Sequence, residues 1–257
     1  MAQPPTGAEA GKYAAACRAV DLVEDGMRLG LGTGSTAAWM VRALAARAAA
    51  DGLDLTCVPT SARTGALAAR LGLRVVGLDD VPGLDLTIDG ADEFDAEFRL
   101  IKGGGAAHLL EKIVAAASDR LVVITDPSKA VDVLGAFPLP VEVTPFGHDA
   151  TARRIADVLA GADVAGRTVV LRVAGGAPVV TDEGNLIYDL HLRRIGDPAR
   201  LMCALTCVPG VVETGLFLGM CDTVVIGHPD GRAETRTRSG GVAWADVDMA
   251  GAVGLPE

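Results

Sequence analysis

Three ionisable residues, Asp89, Lys102 and Glu111, each sit on or just beyond a turn able to aim them at a ligand. Asp89 opens the acidic turn Asp89-Gly90-Ala91-Asp92-Glu93, which ends the apolar run LDLTI. Ligands bind at the carboxyl ends of strands in a parallel sheet, so Asp89 and Asp92 would project into such a cleft; the same turn could equally cap the next element. Lys102-Gly103-Gly104-Gly105 places a cation and a run of bare amides ahead of AAHLLEKIVAAA, which reads as a helix and makes an anion-stabilising corner. On that helix Leu109, Leu110, Ile113, Val114 and Ala117 form an apolar stripe, with Glu111 at its margin. A partly desolvated carboxylate there has its pKa raised toward that of a useful general base, whereas an exposed Glu111 beside Lys112 would be merely solvated.

A second glycine-rich turn, GLGTGSTAAWM from Gly30 to Met40, follows an apolar run and precedes an Ala-rich one. Backbone amides and a helix dipole could converge there on an anion. The dinucleotide fingerprint needs glycine where Ser35 stands, and the phosphate loop of nucleotide hydrolases needs Gly-Lys where Gly34-Ser35 stands, so neither nucleotide motif is met. What remains is Thr33-Gly34-Ser35-Thr36, whose hydroxyls and amides could wrap one terminal phosphate; Ser35 or Thr36 acting only as a helix N-cap is the alternative.

A carboxylate base, a lysine, backbone amides and a phosphate anchor are sufficient to move a proton between adjacent carbons of a sugar phosphate and to steady the enediolate oxygen formed on the way. They do not demand that reaction. A metal is not called for, since the histidines, His108, His148, His191 and His228, are scattered singly.

The elements that would carry these residues follow from periodicity. RLGLGTG, LDLTCVPT, LRVVGL, LDLTIDGAD and RLVVITDPS read as buried strands, and AAWMVRALAARAAA, ARTGALAARLG and HLLEKIVAAAS as the helices between them. That alternation predicts an α/β fold, a Rossmann-like doubly wound, mostly parallel sheet. After about residue 135 the texture changes: FPLPVEVTPF is proline-rich, RRIADVLAGA is a helix, and TVVLRVAGG, PVVTDEGNLIYDL and MCALTCVPG read as strands pairing through turns such as Asp182 to Asn185. A smaller inserted α+β (ferredoxin-like) domain is therefore expected at 136–207, as a lid or oligomerisation unit, with 1–135 and 208–257 forming the main domain. The stretch after Gly231 is weakly patterned and has no assigned role.

Composition bounds the partners. The chain has 257 residues, half of them hydrophobic, and a formal net charge of -10, so no broad basic surface exists to track a nucleic acid or an anionic membrane. Cys17, Cys57, Cys203, Cys207 and Cys221 form no C-x-x-C pair and have mostly apolar neighbours, which reads as buried free thiols in a reducing compartment. The N-terminal MAQPPTGAEAGKYAAA lacks a cationic segment followed by an apolar run, and a cytoplasmic location is expected.

In this order and spacing, GTGSTA, TIDGADE, KGGGAAxxxEKIVA, DPSKxVxxLGxFPLPVEV, DEGNLIYD and GVVETGLF closely resemble ribose-5-phosphate isomerase of the A type, over about residues 8–231. The resemblance implies cofactor-free, metal-free interconversion of D-ribose 5-phosphate and D-ribulose 5-phosphate in the non-oxidative pentose phosphate pathway, by a homodimer or homotetramer. It assigns Glu111 as the proton acceptor between C1 and C2, Asp89 to ring opening, Lys102 with the amides of Gly103, Gly104 and Gly105 to the oxyanion, and Asp92, beside Gly90 and Ala91, to sugar hydroxyls. Thr33, Gly34, Ser35 and Thr36 match its phosphate-side loop. Lys129 matches a further phosphate-binding lysine and Lys12, more loosely, another. The stretch after about Gly231 extends past the family's usual length. A sugar-phosphate-sensing regulator on a related scaffold would need the phosphate loop and no base, so Glu111, Lys102 and Asp89 together favour the enzyme, as does the lack of a basic helix-turn-helix extension. A nucleotide-dependent dehydrogenase is disfavoured by Ser35.

Overall fold

In the computed structural model, residues 5–255 are described; residues 1–4 of the N-terminal stretch and 256–257 of the C-terminal one lie outside them. The described residues fall into two compact units, one within Met1–Gly90, Leu110–Lys129 and Met220–Glu257, the other Ala91–Leu109 and Ala130–Gly219.

The first unit is built on an eight-stranded sheet. From edge to edge its strands are Val242–Asp246, Arg232–Thr237, Thr223–Gly227, Leu121–Thr125, Leu86–Gly90, Arg28–Leu31, Thr56–Pro59 and Arg74–Val75. Those from Thr223–Gly227 to Arg74–Val75 are parallel, as their β-branched, apolar runs require when both faces are covered. Numbered along the chain they stand in the order 3-2-1-4-5-6, so the winding reverses between Arg28–Leu31 and Leu86–Gly90. The helices α1 (Ala8–Val20), α2 (Ser35–Asp51) and α3 (Ala62–Arg70) are rich in alanine, which lets them pack close. Their buried faces meet Leu29, Leu31, Cys57, Ile88, Val122 and Val225 of the sheet in one core.

The chain passes between units within α4 (His108–Ala116). The buried side of α4 carries Glu111, Val114 and Ala115, while Ile113, expected in the apolar stripe, is 45% exposed.

The second unit contains Leu139–Val143, α5 (His148–Ala160), Thr168–Leu171, Leu186–His191, α6 (Pro198–Thr206) and Val211–Thr214. Its four strands lie in the order fourth, first, third, second, all antiparallel, which is the ferredoxin-like βαββαβ arrangement. The turn at Asp182 to Asn185 closes as expected, with Thr181 N–H donating to Asn185 O at 2.9 Å. Leu139, Val141, Val143, Ile155, Leu159, Leu190 and Leu205 fill its core.

Four sequence expectations change. MCALTCVPG is not a strand: its first residues complete α6, because Asp197 caps the helix by accepting from Arg200 N–H, Pro198 starts it, and Leu201 and Leu205 share one buried face. Cys203 and Cys207 are consequently exposed, so only Cys57 and Cys221 are fully buried thiols and Cys17 is half-buried. The weakly patterned stretch after Gly231 adds Arg232–Thr237 and Val242–Asp246 to the main sheet as an antiparallel ribbon. Compared with the expected 136–207, the second unit runs over Ala130–Gly219 and also takes in Ala91–Leu109, where Glu93–Phe94 and Leu100–Ile101 pair with each other and the latter with Leu216–Phe217.

Candidate active site

In the first unit the carboxyl ends of three neighbouring strands carry candidate residues. Thr33 to Thr36 follow Arg28–Leu31, Asp89 and Gly90 end Leu86–Gly90, and Lys129 closes a short 3-10 turn, Pro127–Lys129, after Leu121–Thr125. The first two straddle the point where strand order reverses, the usual place for a ligand in such sheets.

Asp89 is 1% exposed. Its Oδ1 accepts from Thr33 N–H at 3.0 Å and Gly90 N–H at 2.7 Å, so the acidic turn and the glycine turn are tied into one rim. The tie depends on Gly32: a Cβ there would stand 2.1 Å from Asp89 Oδ1. Thr33 is also spoken for at its hydroxyl, which lies 2.8 Å from both Thr60 Oγ1 and Ser61 Oγ and 3.2 Å from Thr64 Oγ1. That hydroxyl cluster left no signal in the sequence, because Thr33 is 27 to 31 residues from Thr60, Ser61 and Thr64 and meets them only when neighbouring strands pair.

Gly34 is the N-cap of α2 and makes no side-chain cap bond, and Ser35 is the first helical residue. The capping role considered for Ser35 and Thr36 is thus not theirs. The first-turn amides of a helix have no intrahelical acceptor, and with Gly34 and Ser35 exposed this end of α2 offers amides, hydroxyls and the positive dipole end to an anion. Lys12 lies on α1, where its ammonium is 2.6 Å from Glu9. Glu9 also accepts from Trp39 on α2, and these two contacts, that with Lys12 the larger, hold its carboxyl below the usual range. Glu111, in the first turn of α4, is 4% exposed, so the solvated alternative for it is excluded.

In the second unit, Lys102 is 2% exposed, with Nζ 5.4 Å from the ring centroid of Phe217 and its backbone N–H donating to Gly215 O at 2.9 Å. Gly103 has φ 110, and Ala106, which begins the run into α4, has φ 60, a conformation costly for a residue with a Cβ. Ala106 N–H donates to Gly103 O at 3.1 Å, closing the turn. The run of bare amides is not wholly bare: Gly104 N–H donates to Asp92 Oδ2 at 2.7 Å. Ala91 and Asp92 therefore belong to the same local structure as Gly103 to Gly105. Sequence reasoning missed Arg172, whose Nη1 reaches Gly103 O at 2.7 Å and Gly104 O at 3.4 Å. It also missed His108, fully buried beneath the turn, with Nε2 3.7 Å from Glu142 Oε2.

Among the described residues, no group of three or more His, Cys, Asp or Glu side chains gathers as a metal site. No described helix is long and apolar enough to cross a membrane.

The model of the family ribose 5-phosphate isomerase A (phosphoriboisomerase A) matches residues 56–231. The chain is 61% identical over 245 residues to ribose-5-phosphate isomerase A of Cereibacter sphaeroides strain KD131, covering 94% of each chain. Among solved structures it is similar to ribose 5-phosphate isomerase A of Methanocaldococcus jannaschii, with TM-score 0.78 and 38% identity over 91% of this chain and 97% of that one. It is also similar to a D-ribose-5-phosphate isomerase in complex with phospho-erythronic acid, with TM-score 0.80 and 35% identity over 93% of this chain and 99% of that one.

Proposed function

Because the chain belongs to the ribose 5-phosphate isomerase A family, we infer that it interconverts D-ribose 5-phosphate and D-ribulose 5-phosphate through an enediolate, in the non-oxidative pentose phosphate pathway. The observation that best supports a base-driven route is Glu111, a carboxylate 4% exposed on the helix that follows the Lys102 to Gly105 turn.

In the aldose-to-ketose direction, Asp89 takes the proton of the anomeric hydroxyl and helps return one to the ring oxygen, opening the sugar. The Glu111 carboxylate then removes the proton from C2. The C–H electron pair forms the C1–C2 double bond, and the aldehyde electrons move onto O1. Lys102 and the Gly105 amide lower the energy of that oxyanion, which is where preorganised donors matter most. A proton passes from O2 to O1, and Glu111 delivers its proton to C1. The electron pair never leaves the substrate, so neither a redox cofactor nor a metal enters the scheme. Asp92 holds sugar hydroxyls, while Thr33 to Thr36 with Lys129 and Lys12 hold the phosphate. In a chain of net charge -10, such local donors must supply all the attraction for a dianion. A cytoplasmic homodimer or homotetramer completes the proposal, carried by the family resemblance and the free thiols.

The test is an isomerase assay with ribose 5-phosphate in EDTA, following ribulose 5-phosphate. We expect turnover, and a drop of roughly 10²–10⁴-fold in kcat for Glu111→Gln with substrate binding nearly unchanged. Wild-type kcat in that variant would remove Glu111 as the base. No turnover, with ribose 5-phosphate still raising the melting temperature, would mark the chain as a sensor.

A further inference from the structure

The Lys102 to Gly105 turn contains three consecutive glycines, the least conformationally restrained sequence a backbone can have. Its peptide planes must nevertheless be set, since a flipped plane would present a carbonyl where a donor is wanted. Within the second unit the Gly103–Gly104 peptide is gripped at both ends. Its carbonyl accepts from Arg172 Nη1 at 2.7 Å, and its N–H donates to Asp92 Oδ2 at 2.7 Å. The guanidinium is itself fixed by the Asp189 carboxylate, with Nε donating to Oδ2 at 2.9 Å and Nη2 to Oδ1 at 2.5 Å. Arg172 N–H also donates to Ile187 O at 2.8 Å, so its backbone is held by the strand that bears Asp189. Arg172 and Asp189 are only 15% and 19% exposed, which limits competition from water.

We propose that Arg172, held by Asp189, is a positioning residue for the isomerisation: it locks the Gly103–Gly104 peptide so that this peptide's N–H orients Asp92 toward the sugar and the following Gly105 amide is presented to the oxyanion. A trans peptide points its N–H opposite its C=O. With the Gly103 and Gly104 carbonyls both turned to the guanidinium, the Gly104 and Gly105 amides face away from it. If the first peptide flipped, Gly103 O would meet the Asp92 carboxylate, and the two would repel. This deepens the isomerase assignment and rests on it.

The experiment compares wild type, Arg172→Ala, Arg172→Lys and Asp189→Asn in the ribose 5-phosphate assay, each with its melting temperature. The lysine variant keeps the charge but cannot bond Asp189 with two donors while reaching the glycine carbonyls. Misplacement of a site by about an ångström costs on the order of 10²-fold, so we expect kcat/KM to fall 10²-fold or so in Arg172→Ala and Arg172→Lys. KM should rise, because Asp92 is released, and kcat should fall, because the Gly105 amide is. Added guanidinium ion should restore part of the activity of Arg172→Ala and none to Glu111→Gln, a result that loss of folding alone would not produce. Wild-type kcat and KM in Arg172→Lys, or no rescue of a folded Arg172→Ala, would overturn the proposal. An inactive wild type would instead defeat the isomerase assignment, and this inference with it.

Discussion

At the scale of single residues, burial decides what a carboxylate can do. Glu142 lies fully buried in the second unit, accepting from Thr181 and Asn185 on Oε1 at 2.9 and 3.0 Å, with His108 Nε2 at 3.7 Å from Oε2. Desolvation, joined by repulsion from Glu183 and Glu213, pushes its carboxyl above the ordinary 4.5, although the two hydrogen bonds pull the other way. An acid whose folded pKa is raised holds a proton in the folded state that the unfolded chain has released. Its contribution is therefore greatest below the unfolded pKa and is lost as pH rises through the folded one. Glu142→Gln, which keeps an acceptor for Thr181 and Asn185 and has no charge to bury, should gain stability relative to wild type as pH climbs through that window. Urea midpoints measured across the pH range check this; a constant difference between the two proteins would show that folding does not shift the Glu142 carboxyl. The same burial logic silences Cys57, whose thiol is pushed up to about 12 by desolvation.

At the scale of elements, the rim that joins two strand ends is held by a close approach rather than by sequence-local bonding. Leu31 and Ile88 are register partners, and the turns that follow them are cross-linked from Asp89 to Thr33. Gly32 makes this possible, since a methyl there would collide with the Asp89 side chain and its Cα at 2.1 to 2.5 Å. Gly32→Ala should thus cost about 1–3 kcal/mol from overpacking, and should lower kcat/KM far more than that destabilisation explains, because it displaces Asp89 and the Thr33 loop together. Retention of full activity with only a lowered urea midpoint would show that the Asp89 position is not critical. The acidic turn, the glycine turn and the helix α2 were each legible in the sequence, since strand and helix periods change there. Their bonding to one another was not, because Asp89 and Thr33 are 56 residues apart.

At the scale of the whole molecule, the least patterned stretch of sequence closes the main sheet. Arg232–Thr237 pairs with Thr223–Gly227, the last parallel strand, and Ala233 enters the core of that unit. Polar residues such as Arg232, Arg236 and Thr237 suit an outer ribbon, and Arg236 binds Glu234 through Nε at 2.7 Å. The ribbon also carries Trp244, 51% exposed, against His228 and Arg232. A chain stopped after Gly231 would leave Thr223–Gly227 as an unpaired apolar edge. Such edges template aggregation, so the truncated protein should elute as large assemblies and melt at lower temperature. A monodisperse truncation with an unchanged melting temperature would reduce the ribbon to decoration.

Identity and local order were settled by the sequence. The types of Glu111, Asp89, Lys102 and the Thr33 to Thr36 turn, their places just after apolar runs, and the alternation of strand and helix periods are properties of short stretches, which need no partner to be visible. Tertiary structure alone decided what those groups touch: which amides Asp89 and Asp92 consume, that Arg172 grips the glycine turn 68 to 69 residues before it, and that a polar tail becomes part of a sheet. The reason is physical. Period and composition record how one segment meets water and core, whereas a hydrogen bond between distant segments depends on register and approach that neither segment encodes by itself.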